Sequence, residues 1–311
     1  MEESNMEESN MEESWLEESA IILGLLAFWC SLIPILDRFP RSRGKNIVSH
    51  GVFVVVMAVL LFFLPAVIQD VVFSSVGILI IGTVIPIYKS IQAVCTIEED
   101  DDTEWLQYWI AYGTFSYATE FMDLIGERFP AVAEHWYEFE FCCTLWMLLP
   151  FTDGSTLIYD KLTLPYVAPI CRKIKESTEG YIQLLLAVVN GTYLWVVWMT
   201  FMTLPEEARR FAVIAVGTIY PLAASVIAVT TQGTGEDDAF WLTYWSCFNI
   251  LFILMDYLEN FIGSINGFYS ICMVATVYLF LPMFSGAQAV FRNILVPLSG
   301  QYENMLLRDT Y

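Results

Sequence analysis

The chain has 311 residues, 57% of them hydrophobic and only 16% charged, with a formal net charge of −21. Charge-free runs of 24 residues (46–69), 26 (180–205), 25 (211–235) and 32 (260–291) exceed the roughly 20 apolar residues that a membrane-crossing helix needs. A water-soluble helical core alternates apolar stripes with charged faces, so these runs exclude one; no nucleic-acid partner is expected of so acidic a chain.

Residues 1–18 hold eight acids in four copies of a pentad, "MEESN MEESN MEESW LEESA". A five-residue period fits neither a helix face nor a heptad, so a disordered acidic tail is predicted. It does not read as a secretory signal, which begins basic. Residues 19–45 follow as an apolar segment and a basic loop. The apolar part, Ser19 to Leu36, is 18 residues long, on the border between a span and an interfacial segment. If it spans, the tail lies outside the cytosol; if not, inside.

From residue 46 the chain repeats itself. "GTVIPIYKS" at Gly82 to Ser90 answers "GTIYPLAAS" at Gly217 to Ser225. "DDTEWLQYW" from Asp101 answers "DDAFWLTYW" from Asp237, and Pro150, Gly154 and Pro165 answer Pro282, Gly286 and Pro297. Self-similarity on this scale predicts two tandem units, 46–178 and 179–311, each of four hydrophobic segments with the first two forming a hairpin. The polar links inside the hairpins are read at Gln69–Asp70 and at Glu206 to Arg210. Pro86 and Pro221, with Gly82 and Gly217 four residues before them, predict a kink in each second segment.

Placing the acidic turns in the cytosol puts eleven Lys and Arg on that side and leaves only Arg128, Arg209 and Arg210 opposite, which fixes orientation by the positive-inside rule. In the first unit the third and fourth segments are charge-free for only 15 and 12 residues (105–119 and 141–152). They fall short of the hydrocarbon core and would load one leaflet. The 32-residue fourth segment of the second unit departs from that pattern. Glu120 and Asp123, matched by Asp256 and Glu259, are intramembrane acids. They mark either an ion path or the hydrated end of a shallow helix.

The acidic turns carry a membrane-interface motif, Asp101, Asp102, Trp105, Leu106, Tyr108 and Trp109, repeated as Asp237, Asp238, Trp241, Leu242, Tyr244 and Trp245. Acids suit the positive end of a helix, and amphipathic rings suit the headgroup level. After Gly154 and Gly286 an apolar residue recurs every fourth position: Ile158, Leu162, Tyr166, Ile170, Ile174, and Val290, Ile294, Leu298, Tyr302, Leu306. Both read as interfacial amphipathic helices, kinked at Pro297 and broken in two by Pro165 and Pro169. The seven cysteines form neither a disulfide framework nor a zinc site; Cys171, beside basic residues, is a plain thiol or a palmitoylation target.

Three blocks in order, Gly82-x-x-x-Pro86-x-Tyr88-Lys89-Ser90-Ile91, then Asp101-Asp102-Thr103-x-Trp105-Leu106-x-Tyr108-Trp109, then Gly154-x-x-Leu157-Ile158-Tyr159-Asp160-Lys161, resemble the receptor expression-enhancing proteins and their plant HVA and yeast Yop relatives. The second unit resembles them in diverged form, with Ala224 in place of Lys89. The resemblance implies a multi-pass protein of the endoplasmic reticulum membrane that stabilises curved tubules through hairpins and a terminal amphipathic helix, as homo- or hetero-oligomers with other hairpin proteins. It implies no enzymatic centre and no cofactor. The fold class read from the sequence is therefore an all-α membrane protein of two tandem hairpin units with terminal amphipathic helices. Its partner is the lipid bilayer. A trafficking adaptor or cargo escort and a small-solute transporter or channel of parallel repeats are the alternatives.

Overall fold

The computed structural model describes residues 47–63, 65–96, 99–120, 135–177, 193–231, 235–262, 267–281 and 284–308. The acidic tail, the segment at 19–45 and Asp123 lie outside them. All regular structure among the described residues is helical, and three helices, Ser75–Cys95, Glu206–Thr230 and Asp237–Glu259, are long and apolar enough to cross a membrane. The protein is an all-α membrane protein.

The chain divides into two compact units, one of Met1–Ile85 with Ser116–Leu157, the other of Pro86–Phe115 with Ile158–Tyr311. In the first, helix α1 (Ile47–Phe63) ends before Pro65, which starts the short helix α2 (Ala66–Val72). Gln69 and Asp70, read as a turn, are helical. The break comes instead at Phe73 and Ser74, where the Ser74 hydroxyl accepts the Gly77 amide of helix α3 (Ser75–Cys95) at 3.2 Å. The junction is tight, because a Cβ on Gly77 would lie 2.0 Å from the Val72 carbonyl oxygen. Around Gly82 the helix widens into a π turn, Ile80–Val84, against which helix α5 (Trp136–Leu148) packs. Phe141 of α5 meets Phe73 edge-on at 5.1 Å, and the Trp146 indole donates to His50 Nδ1 of α1 at 3.1 Å.

In the second unit, helix α7 (Tyr193–Thr203) is separated by Pro205 from α8 (Glu206–Thr230). Glu206 to Arg210, read as a link, form the first turn of α8, where Glu206 and Glu207 face the positive helix end. Helices α8, α9 (Gly235–Ile262) and α10 (Phe268–Phe280) pack together around Val213, Met255, Phe268, Tyr269 and Cys272. Pro221 lies inside α8 with no π turn.

The long fourth segment read at 260–291 does not exist as one helix. Helix α10 has 13 residues, the same length as its counterpart α5. Each is stopped by a Leu-Pro step, since a residue preceding proline is driven out of the helical region; Leu149 has ψ 131° and Leu281 ψ 121°. At about 1.5 Å per residue each covers about 20 Å, short of the roughly 30 Å hydrocarbon core.

Candidate functional site

The acidic-aromatic motif starts helix α4 (Glu99–Glu120) in the first copy and α9 in the second. Most of it packs inward: Asp102, Leu106, Tyr108 and Trp109 are buried, as are Asp238, Leu242, Tyr244 and Trp245. Trp105 and Trp241 are half-buried, and Asp237 is exposed. The two copies make the same bonds. Trp109 Nε1 donates to the Ser90 hydroxyl at 2.8 Å, and Trp245 Nε1 to the Ser225 hydroxyl at 2.8 Å. Tyr108 stacks on Tyr112, and Tyr244 on Phe248. Ser225 in turn donates to the carbonyl of Pro221, so the indole is tied to the proline-bearing turn. Tyr244 donates to the Gly217 carbonyl at 2.5 Å, and a Cβ on Gly217 would fall 2.2 Å from the Phe248 ring. Gly217 is thus a close-approach glycine, and the motif fastens the third helix of each copy to its second.

The second aspartates take different partners. Asp102, fully buried, receives Arg308 Nη2 at 3.0 Å, and the same guanidinium donates to the Val94 carbonyl. Asp238 accepts the Thr103 hydroxyl at 2.6 Å. One oxygen of each carboxylate has no hydrogen-bond partner. Burial raises Asp102 from 3.8 to about 6 against the lowering pull of Arg308, with Asp101 and Asp238 adding to the rise.

Of the acids expected within the membrane, Asp256 and Glu259 meet a cation that the sequence suggested lay in a link, Arg210. Arg210 Nε donates to Glu259 at 3.1 Å and its Nη2 to Asp256 at 3.4 Å, while the Tyr269 hydroxyl donates to Glu259 at 2.7 Å. These acids therefore have a basic partner on α8, although Asp256 is largely exposed. Arg210 has Ser75 at its repeat position, so no internal similarity could have flagged it. Glu120 ends α4; its side chain lies outside the described set.

Each short fourth helix leads into a further helix through the same elbow. Asp153 and Ser285, at matched positions, both have φ 48°, and the next residue is Gly154 or Gly286. A Cβ there would collide with Trp146 at 2.5 Å or with the Tyr278 ring at 2.6 Å, so the elbow is closed down onto an aromatic. Helix α6 then runs over residues 154–177 without the break expected at Pro165 and Pro169. A π turn over Tyr159–Val167 takes up the strain of Pro165, a residue with no amide donor. Its counterpart α11 (residues 286–299) likewise widens over Phe291–Leu295 before Pro297. It stops at Gly300, φ 72°, where the Gln301 amide reaches back to Val296. A last helix, α12 (Tyr302–Arg308), follows. Both stripes face outward: Leu162, Tyr166 and Ile170 are exposed in the first copy, and Ile294, Leu298, Tyr302 and Leu306 in the second, while Tyr159, Thr163, Phe291 and Leu295 face the protein. Cys171 is buried, which suits a plain thiol.

An all-helical membrane protein with a duplicated hairpin motif is the class these features define. The profile of the TB2/DP1, HVA22 family matches residues 86–166 and again 221–298, together about half of the chain, and the chain belongs to that family. Among similar curated proteins are receptor expression-enhancing protein 6 of Danio rerio (36% identical over 92 residues, 28% of this chain and 40% of the relative). Receptor expression-enhancing protein 1 of Mus musculus (34% over 110 residues, 35% and 51%) and HVA22-like protein k of Arabidopsis thaliana (29% over 111 residues, 36% and 54%) are others. The chain spans about half or less of the length of the relatives it matches. No solved structure matches it.

Proposed function

We propose that this protein stabilises curved membrane of the endoplasmic reticulum, as a multi-pass protein that inserts more volume into the cytosolic leaflet than into the opposite one. The observation that carries the reading is the pairing, in both copies, of a 13-residue helix with an interfacial helix whose apolar stripe is exposed. A helix about 20 Å long loads one leaflet, and an exposed stripe of Leu, Ile and Tyr sinks beside it among the acyl chains. On this reading the tandem units are 46–178 and 179–311, Trp105 and Trp241 sit at headgroup level, and Gly82, Pro86, Gly217 and Pro221 shape the second helices. Glu120, Asp123, Asp256 and Glu259 mark the far end of the third helices. Association with other hairpin proteins would spread the effect, and no catalysis is part of it.

Family membership and the names of the similar proteins support the reading at the level of class. The name receptor expression-enhancing protein, carried by several of these relatives, also favours a second reading, escort of membrane cargo. Reconstitution separates them: purified protein in vesicles of neutral and anionic phospholipid should draw out tubules, seen by electron microscopy, with no cargo present. Leu162→Glu with Ile170→Glu and Leu298→Glu should cut tubulation severalfold. Vesicles left round by the unaltered protein, or equal tubulation by the triple variant, would sink the proposal.

A further inference from the structure

We infer that the second aspartate of each acidic turn is a docking group for the other copy, so that the two copies of one chain pair with each other and not with a like copy of a second chain. Three contacts carry this. Arg308 of the second copy reaches Asp102 and the Val94 carbonyl of the first, and Thr103 of the first copy reaches Asp238 of the second. Gly113 of the first copy lies where a Cβ would stand 4.0 Å from Leu222 of the second. The compact unit of Pro86–Phe115 with Ile158–Tyr311 itself joins first-copy helices to the whole second copy.

Burying a carboxylate costs several kcal/mol, repaid only when a partner meets it in good geometry. Here each buried aspartate is met from the opposite copy: a guanidinium on Asp102, a hydroxyl on Asp238. The exchange is reciprocal but not symmetric, and the asymmetry sets the pairing. The repeat counterpart of Arg308 is Glu176 and that of Thr103 is Ala239. Two first copies face to face would bring Glu176 toward Asp102, a like charge. Two second copies would offer Ala239, with no hydroxyl, to Asp238. Only first with second gives each carboxylate a polar partner from the opposite copy. The chain between the copies makes that union intramolecular, which raises its effective concentration to the millimolar range for a short link.

The test needs no membrane curvature, so its outcome is separable from that of the proposed function. A specific protease site is inserted at the boundary of the two copies, directly after residue 178 of the full chain, which is cut in detergent micelles and held on resin by a tag on the first copy. The second copy should stay bound. Thr103→Val with Arg308→Gln should release it at least about tenfold more readily, a change equivalent to about 1.4 kcal/mol. Gly113→Cys with Leu222→Cys, oxidised in the intact chain, should link the two pieces in a non-reducing gel where the unaltered chain does not. This second measurement decides the matter if the double variant fails to fold. Release of the unaltered second copy on cutting, equal retention of the Thr103/Arg308 variant when it folds, or no cysteine linkage would overturn the inference.

Discussion

The two acidic turns begin alike and end differently. Both bury their second aspartate, both aim a tryptophan at a serine on the preceding helix, and both stack a tyrosine on the ring four residues on. Yet Asp102 is paired with a guanidinium, whereas Asp238 accepts only a hydroxyl. Sequence identity within a repeat dictates what a helix does to itself and to its hairpin neighbour. The partner that arrives from elsewhere depends on residues the repeat does not copy. Helices α6 and α11 teach the same point: Pro165 is absorbed by a widened turn and α6 continues, while Gly300, where the first copy has Ala168, ends α11.

The largest effect that would sharpen this comparison is on pH dependence. Asp102 is raised from 3.8 to about 6. Between those values the folded protein holds a proton that the unfolded chain has released, so this group's contribution makes stability fall as pH rises from about 4 to 6 and level off above. At about 1.4 kcal/mol per pKa unit, the contribution amounts to about 3 kcal/mol across the window. Thermal unfolding in detergent at stepped pH should show that fall in the unaltered protein and lose it in Asp102→Asn. An unchanged pH profile in Asp102→Asn would break the contrast between the two turns.

A smaller effect concerns glycines of the two copies. Gly217→Ala drives a methyl into Phe248 and Thr276 and should cost about 2 kcal/mol. Gly113→Ala, with its nearest side chain 4.0 Å from the new Cβ, should be neutral or slightly stabilising, since alanine suits a helix interior. Chemical denaturation of the two variants, compared for midpoint, tests the pair. Smallest is the indole bond. Trp109→Phe and Trp245→Phe each lose one hydrogen bond to serine and should cost about 1 kcal/mol beyond the lost ring area. The same cycle with Ser90→Ala or Ser225→Ala isolates the bond. Unequal coupling in the two copies would show that the motif's work differs between them.

Much of this was legible in the residues. Long charge-free runs announced the membrane, and the paired Gly-x-x-x-Pro and Asp-Asp-x-x-Trp blocks announced the duplication, because both depend on spacing along one chain. Turn positions were missed by a few residues: Pro65 and Pro205 start helices, so polar residues at 69–70 and 206–210 fall inside first turns. The 32-residue run concealed a 13-residue helix, since hydropathy ignores the Leu-Pro step that ends it.

The sequence by itself determined the class, the repeat and the apolar stripes, all of which follow from local spacing and hydropathy. Tertiary structure alone decided that Arg210 clasps Asp256 and Glu259, and that Arg308 crosses 206 positions to Asp102. A charged side chain's partner is set by which helix ends meet in space. In a chain with 14 cations and 35 acids, composition offers every acid the same few candidates, and only the packing of the helices chooses among them.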